Sequence, residues 1–141
     1  MPAGIAIRPC RPAECASVLE LWTRAEATPS VTDTPQELTR LLGHPSAVLL
    51  VAVDGEAVVG SVIGGWDGWR GNISRLAVSP DYRRRGIARS LVREAERWLV
   101  AHGARRISAL VEGDHPWAVG FWDAMYEREP GVLRYVKNVN A

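Results

Sequence analysis

The chain has 141 residues, 47% of them hydrophobic and 23% charged, a balance that fits one compact soluble domain and leaves too little length for two ordinary ones. Its 17 basic and 16 acidic side chains leave a formal net charge of +1, so no global field draws it to nucleic acid or anionic lipid, and charge-driven binding has to be local. Cys10 and Cys15 lack metal-ligand spacing and a second pair, which argues against a disulfide framework or zinc site and for a reduced cytoplasm. Lys137 is the only lysine, so richness in arginine is compositional here and carries no functional weight by itself. The segment Met1–Arg11 has no long apolar stretch, and the longest apolar run, Ala47–Val53, falls far short of the ~18 residues of a membrane span; no export signal is expected.

Ile5, Ala6 and Ile7 form a short apolar run ended by Arg8-Pro9 and predict a first strand. From Pro12 to Glu26, the apolar residues Val18, Leu19, Leu21 and Trp22 recur with helical spacing. Thr34-Pro35-Gln36-Glu37 combines an N-cap residue, a proline at the first helical position and a glutamate three residues on, and Gly43 supplies the stop of this second helix. Ala47–Val53 and Ala57–Trp66 are rich in Val and Ile and flank Asp54-Gly55, which predicts a tight antiparallel hairpin. Asn72–Val78 reads as a further strand, broken by Ser79-Pro80-Asp81. Between Gly86 and His102 the apolar residues Ile87, Ala88, Leu91, Val92, Ala95, Trp98 and Leu99 make one helical stripe, with Gly103 as the C-terminal stop. Ile107–Val111 is expected as a strand, Pro116–Met125 as a short helix and Val132–Val139 as a last strand.

Arg83-Arg84-Arg85-Gly86-Ile87-Ala88 sits between a strand and the best helix of the chain. There, unpaired backbone N–H groups and the helix dipole favour an anion, small residues let a phosphate approach the backbone, and arginines add charge-assisted bonds. The spacing matches neither a P-loop nor a Gly-x-Gly-x-x-Gly turn, which disfavours nucleotide hydrolysis.

The run Leu76-Ala77-Val78-Ser79-Pro80-Asp81-Tyr82-Arg83-Arg84-Arg85-Gly86-Ile87-Ala88 resembles motif A of the GNAT N-acetyltransferases, Arg/Gln-x-x-Gly-x-Gly/Ala, carried here by Arg83, Gly86 and Ala88. The element order is similar to that family over nearly the whole chain. The resemblance implies a single α/β domain over residues 1–141, with a mixed, mostly antiparallel sheet of six to seven strands flanked by about four helices. It also implies acetyl-CoA as co-substrate and no metal. Backbone groups of Leu76, Ala77 and Val78 would pair with the pantetheine arm, and the segment from Arg83 through Arg84, Arg85, Gly86, Ile87 and Ala88 to Arg89 would hold the pyrophosphate. The stretch Gly64–Gly71 further resembles a branch of small bacterial members with Gly-Gly-aromatic-Asp-Gly-x-Arg-Gly.

The chain departs from the family where proton handling is concerned. His115 stands where many relatives carry a pantetheine-binding Asn, and Trp122 stands where they carry the Tyr that protonates the departing thiolate. Indole N–H is no proton source near neutral pH, so Tyr126, one helical turn on, is the substitute acid, with water as the other donor. Asn72, Ser74 and Leu110 occupy positions where some relatives place a glutamate, which leaves Glu112, Asp114 and Asp67 as nearby carboxylates, Glu112 being the candidate base. A lysine amine at pKa ~10.4 costs roughly 4 to 5 kcal/mol to deprotonate at pH 7, an α-amine only about 1 to 1.5, so a weak base favours a low-pKa amine.

Trp66 and Trp69 in the glycine-rich loop are candidate acceptor contacts, and Asp67 between them either binds a cationic amine or forms the turn. The resulting expectation is acetyl transfer to a primary amine by direct attack, with the Val78 N–H polarising the thioester carbonyl. The expected partner is a small-molecule or peptide amine, without nucleic acid or membrane; a homodimer is compatible with this reading. Two other classes stay open: a non-catalytic acyl-CoA-binding sensor, and an anion or nucleic-acid module built on Arg83–Arg85.

Overall fold

Five strands form one sheet in chain order: β1 (Ile5–Pro9), β2 (Ala47–Asp54), β3 (Ala57–Trp66), β4 (Gly71–Val78) and β5 (Ile107–Ala109). β1 to β4 are antiparallel neighbours, while β5 runs parallel to β4. The computed structural model describes residues 4–140, which group into two units, 4–110 and 111–140. Residues 1–3 of the N-terminal segment and Ala141 lie outside the described residues. The first unit holds the sheet with helices α1 (Cys15–Arg24), α2 (Pro35–Leu42) and α3 (Ile87–His102); the second holds α4 (Pro116–Met125). Among the described residues no helix is long and apolar enough to cross a membrane.

Local signals set these elements. The Thr34 side chain accepts a hydrogen bond from the Glu37 N–H at 3.1 Å, closing the first turn of α2 behind Pro35. β2 is an almost uninterrupted apolar run because both of its faces are covered. Leu49, Val51 and Val53 join Val18, Leu21 and Trp22 of α1 and Leu38 of α2 in one buried cluster. On the other face Ala52 lies beside Gly60, where a side-chain carbon would sit 3.0 Å from Leu91 and 3.2 Å from Ile87 of α3. The helix thus rests directly on the backbone of β3. Pro9 closes β1 without harm because β1 is an edge strand, and the missing N–H breaks no interior ladder.

Among the described residues the sheet has five strands, not the six to seven expected. The structure contains no strand over Val132–Val139: Val132, Leu133, Tyr135, Val136 and Val139 are all exposed. Val132-Leu133-Arg134-Tyr135-Val136-Lys137 does not alternate strictly, so neither side of the segment collects an apolar face worth burying. β5 likewise stops at Ala109, short of the expected Val111.

Cys10 and Cys15 are both buried free thiols, and burial above all, with the neighbouring Cys15, pushes the Cys10 thiol up to about 12. β1 is tied to the turn before α1 by a two-pronged ion pair, Arg8 to Glu14 at 2.8 and 2.7 Å, and the Arg11 N–H donates to the same carboxylate at 2.9 Å. The Arg8 guanidinium is the main reason that the Glu14 carboxyl titrates at about 2, below the usual carboxylate range. The folded pKa is depressed, so this contribution is present above the unfolded value near ~4.3 and is lost as pH falls toward the folded one. Glu14→Gln is expected to cost on the order of 1 kcal/mol at pH 7. The gap to wild type should close between about pH 5 and pH 2 in thermal melts. A gap that stays constant over that range would show that the pair contributes packing and no charge.

Candidate active site

β4 pairs with β3 along one edge, but its other edge meets β5 only over Gly71–Ile73, and the Leu110 N–H to the Ile73 carbonyl (2.9 Å) is the last backbone bond there. From Ser74 to Val78 no strand among the described residues covers that edge, which leaves a ladder of backbone groups for an extended ligand to pair with. The edge opens where β4 bulges: the register with β3 slips between Ser61 and Ile63, and Arg75 takes a left-handed φ of 52°.

This strained residue is held from several sides. Ser61 Oγ donates to the Arg75 carbonyl at 2.9 Å and accepts from Trp22 Nε1 at 2.8 Å. The Arg75 guanidinium donates to the Thr28 carbonyl at 3.1 Å, pairs with Asp33 at 3.2 Å and lies 4.8 Å over the Trp22 ring. Trp22, Ser61, Arg75 and Asp33 thereby brace the bulge from α1, β3 and the segment between α1 and α2. Sequence reading did not single out Arg75 or Asp33. The signal that could have found Arg75 is a charged side chain between the apolar residues Ile73 and Leu76–Val78 of a strand.

β4 runs into the expected anion loop. A single 3-10 turn, Pro80–Tyr82, starts with the Ser79 N–H bonded to the Val59 carbonyl at 2.8 Å. The Tyr82 hydroxyl donates to Asp54 at 2.6 Å, which raises its pKa, and the Arg85 guanidinium lies 4.8 Å over the Tyr82 ring. Arg84 and Gly86 both have left-handed backbones, φ 64° and 79°. Gly86 is the N-cap of α3 and offers no side-chain cap, and no acidic residue stands in the first turn. The first helical bond runs from the Ser90 N–H to the Gly86 carbonyl, so the N–H groups of Ile87, Ala88 and Arg89 precede the ladder and point out of the helix start. Val78, buried at the end of β4, stands opposite Gly60. The residues from Leu76 to Arg89 therefore form one continuous feature, an open strand edge leading to an uncapped helix N-terminus. Amide-rich arm and pyrophosphate are the groups that such a pair of donor sets fits.

The remaining expected residues fall in two other places. In the 111–140 unit, His115 is the N-cap of α4, and its Nε2 lies 2.7 Å from a Glu112 carboxylate oxygen and 4.0 Å from Asp114. The ligating atoms of these three residues lie within 4.8 Å of one another. Trp122 is buried on α4, and the half-buried Tyr126, its C-cap, stacks edge-on against it at 5.0 Å.

Trp66, Asp67 and Trp69 stand at the tip between β3 and β4, beside Gly103 at the C-terminal end of α3. The anion loop leaves the other end of both elements. The eight residues of β4 span about 23 Å and the sixteen of α3 about 24 Å. Of the two roles open to Asp67, the structure gives it the turn: Oδ1 accepts from the N–H groups of Trp69 (2.8 Å) and Arg70 (2.7 Å), and these bonds, Arg70 first, lower its pKa. Arg70, Arg105 and Arg106 line the same cleft.

The profile of the acetyltransferase (GNAT) family matches residues 15–125. An acetyltransferase of Sodalis glossinidius is 37% identical over 128 residues, covering 90% of each chain, and one of Pectobacterium atrosepticum is 38% identical over 120 residues, covering 84% of each. Among solved structures, an aminoglycoside 6′-N-acetyltransferase of Acinetobacter haemolyticus superposes with a TM-score of 0.78 at 21% identity, over 96% of this chain and 99% of that one. The PaiA N-acetyltransferase of Thermoplasma acidophilum, solved with coenzyme A, gives 0.74 at 15% identity over 86% and 87%. At such identities the two structures establish the fold, and the two sequence relatives and the family profile establish the family. The chain belongs to the acetyltransferase (GNAT) family and is an acetyl-CoA-dependent acetyltransferase.

Proposed function

We propose that this enzyme transfers the acetyl group of acetyl-CoA to a primary amine of a small molecule or peptide by direct attack, without a covalent enzyme intermediate. The observation that carries this reading is the uncovered edge of β4 from Ser74 to Val78 running into the uncapped start of α3. In the proposed complex, backbone groups of Leu76, Ala77 and Val78 pair with the pantetheine amides. Arg83, Arg84 and Arg85 and the backbone from Gly86 to Arg89 hold the pyrophosphate. Acetyl-CoA brings an activated acyl group, so the protein's part is alignment and electrostatics. The Val78 N–H is proposed to polarise the thioester carbonyl.

Proton handling is proposed for residues of the 111–140 unit. Glu112 and His115 form a hydrogen-bonded carboxylate and imidazole, a pair suited to taking a proton from an attacking ammonium. Tyr126 carries the hydroxyl proposed to return a proton to the thiolate, since the indole of Trp122 has none to give. The likeness of Gly64–Gly71 to a small bacterial branch of the family adds to this reading.

Calorimetric titration with acetyl-CoA, followed by thiol detection across a panel of α-amines, lysine peptides and small polyamines, tests the proposal. Saturable micromolar binding and amine-dependent release of coenzyme A are expected, fastest with the α-amines. Binding without release would make the protein a sensor, and absence of binding by folded protein would remove the β4 edge from consideration.

A further inference from the structure

The cleft at the far end of the sheet is built for a ligand of a different kind. Trp66, Trp69, Arg70, Gly103, Arg105 and Arg106 surround a space of about 570 Å³, within the range of small-molecule sites. Its floor stays open because Gly103 carries no side chain, and the Trp66 ring lies 3.8 Å from where one would begin. Trp69 is 70% exposed, unusual for so large an apolar group. It is nonetheless held in place: Asp67 fastens the turn through two backbone N–H groups, and the Arg70 guanidinium stacks 4.0 Å from the Trp69 ring centroid. Arg106 is brought to this hairpin by the bond from the Gly71 N–H to its carbonyl (3.0 Å). Neither Arg70 nor Arg105 forms an ion pair among the described residues, and the one carboxylate of the loop, Asp67, is turned into its own backbone.

Indole faces and guanidinium groups around one cleft call for a ligand with a flat ring and several negative charges. We propose that this cleft binds a nucleoside diphosphate or a close relative, the base stacking on Trp69 and the phosphates meeting Arg105 and Arg106. The site is separate from the loop that holds the acetyl donor, because the two lie at opposite ends of β4 and α3. It therefore goes beyond acetyl transfer and stands or falls independently of it.

The test is equilibrium dialysis or calorimetry with ADP, adenosine and inorganic pyrophosphate, on wild type and on Trp69→Ala, Arg105→Gln and Gly86→Glu, with acetyl-CoA titrated into each. Saturable ADP binding is expected in wild type, with adenosine and pyrophosphate each about tenfold weaker or worse. Trp69→Ala and Arg105→Gln should each weaken ADP about tenfold and keep acetyl-CoA affinity, both positions being exposed and far from the anion loop. Gly86→Glu should do the reverse. Absence of saturable ADP binding in wild type overturns the proposal. So does ADP binding that Gly86→Glu removes and Trp69→Ala retains, which would assign it to the anion loop. Pyrophosphate binding as tightly as ADP overturns the ligand class, since stacking would then contribute nothing.

Discussion

Gly86→Glu is expected to weaken acetyl-CoA binding about 100-fold or more while the protein stays folded. The reason is not steric, because a side-chain carbon at Gly86 would meet no atom within 4 Å. Two other effects act together. Gly86 has a left-handed φ of 79°, which costs a residue with a side chain roughly 1 to 2 kcal/mol. The carboxylate would also stand at the N-cap of α3, where it would accept from the free N–H groups of the first turn and occupy with its own charge the place that a phosphate needs. Gly86→Ala and Gly86→Gln separate these effects. Alanine carries the backbone strain alone and should keep affinity within about tenfold of wild type. Glutamine adds bulk without charge and should fall between alanine and glutamate. Calorimetric affinities that are equal across all three variants would remove the helix start from the binding site.

Gly60→Val is the substitution with the largest expected effect on stability, a loss of about 3 kcal/mol and a fall in Tm on the order of 10 °C. The first added carbon would sit 3.0 Å from Leu91 and 3.2 Å from both Ile87 and Ala52, closer than van der Waals spacing. Leu91 can turn aside, but the Ala52 carbon is fixed to the backbone of β2 and cannot. The relief left to the structure is to lift α3 off β3. Ile87 opens that helix, immediately after Gly86, so the same displacement should also weaken acetyl-CoA binding. Gly60→Ala is expected to show both effects in smaller measure. Thermal melts of the two variants, followed by titration of each, check the coupling. A Gly60→Val protein that melts with wild type would mean that α3 does not rest on β3 as closely as the geometry has it.

The helix start at the proposed anion loop was legible in the sequence because its signals are local. Gly86 before a strong apolar stripe and small Ala88 after it describe a helix start open to a phosphate, and α3 begins at Ile87 as that pattern requires. The Glu112 and His115 pair was only half legible. Both residues stood out, one as a carboxylate and one as a pantetheine neighbour, but their bond at 2.7 Å depends on the turn between them. The glycine-rich loop was legible only in part. Trp66 and Trp69 stood out in it, and of the two roles open to Asp67 the turn is the one its bonds form, while Arg105 and Arg106, distant in sequence, join the cleft only in the folded chain.

Much of the architecture rested on short-range signals that need no partner: the Thr34 cap, the Asp54-Gly55 hairpin, the stripe from Ile87 to Leu99 and the stop at Gly103. Each is a preference of a few adjacent residues for one backbone conformation, so the chain alone determined it. Strand pairing is different in kind, since a strand exists only where another edge and a common buried face are available. Val132–Val139 had the apolar content and lacked that face, while β4 had an edge that β5 leaves uncovered after Ile73. The same holds for Arg75, whose neighbours Trp22, Ser61 and Asp33 come from three separate elements. Only folding brings them together, and it is their packing that opens the edge of β4 on which the proposed chemistry depends.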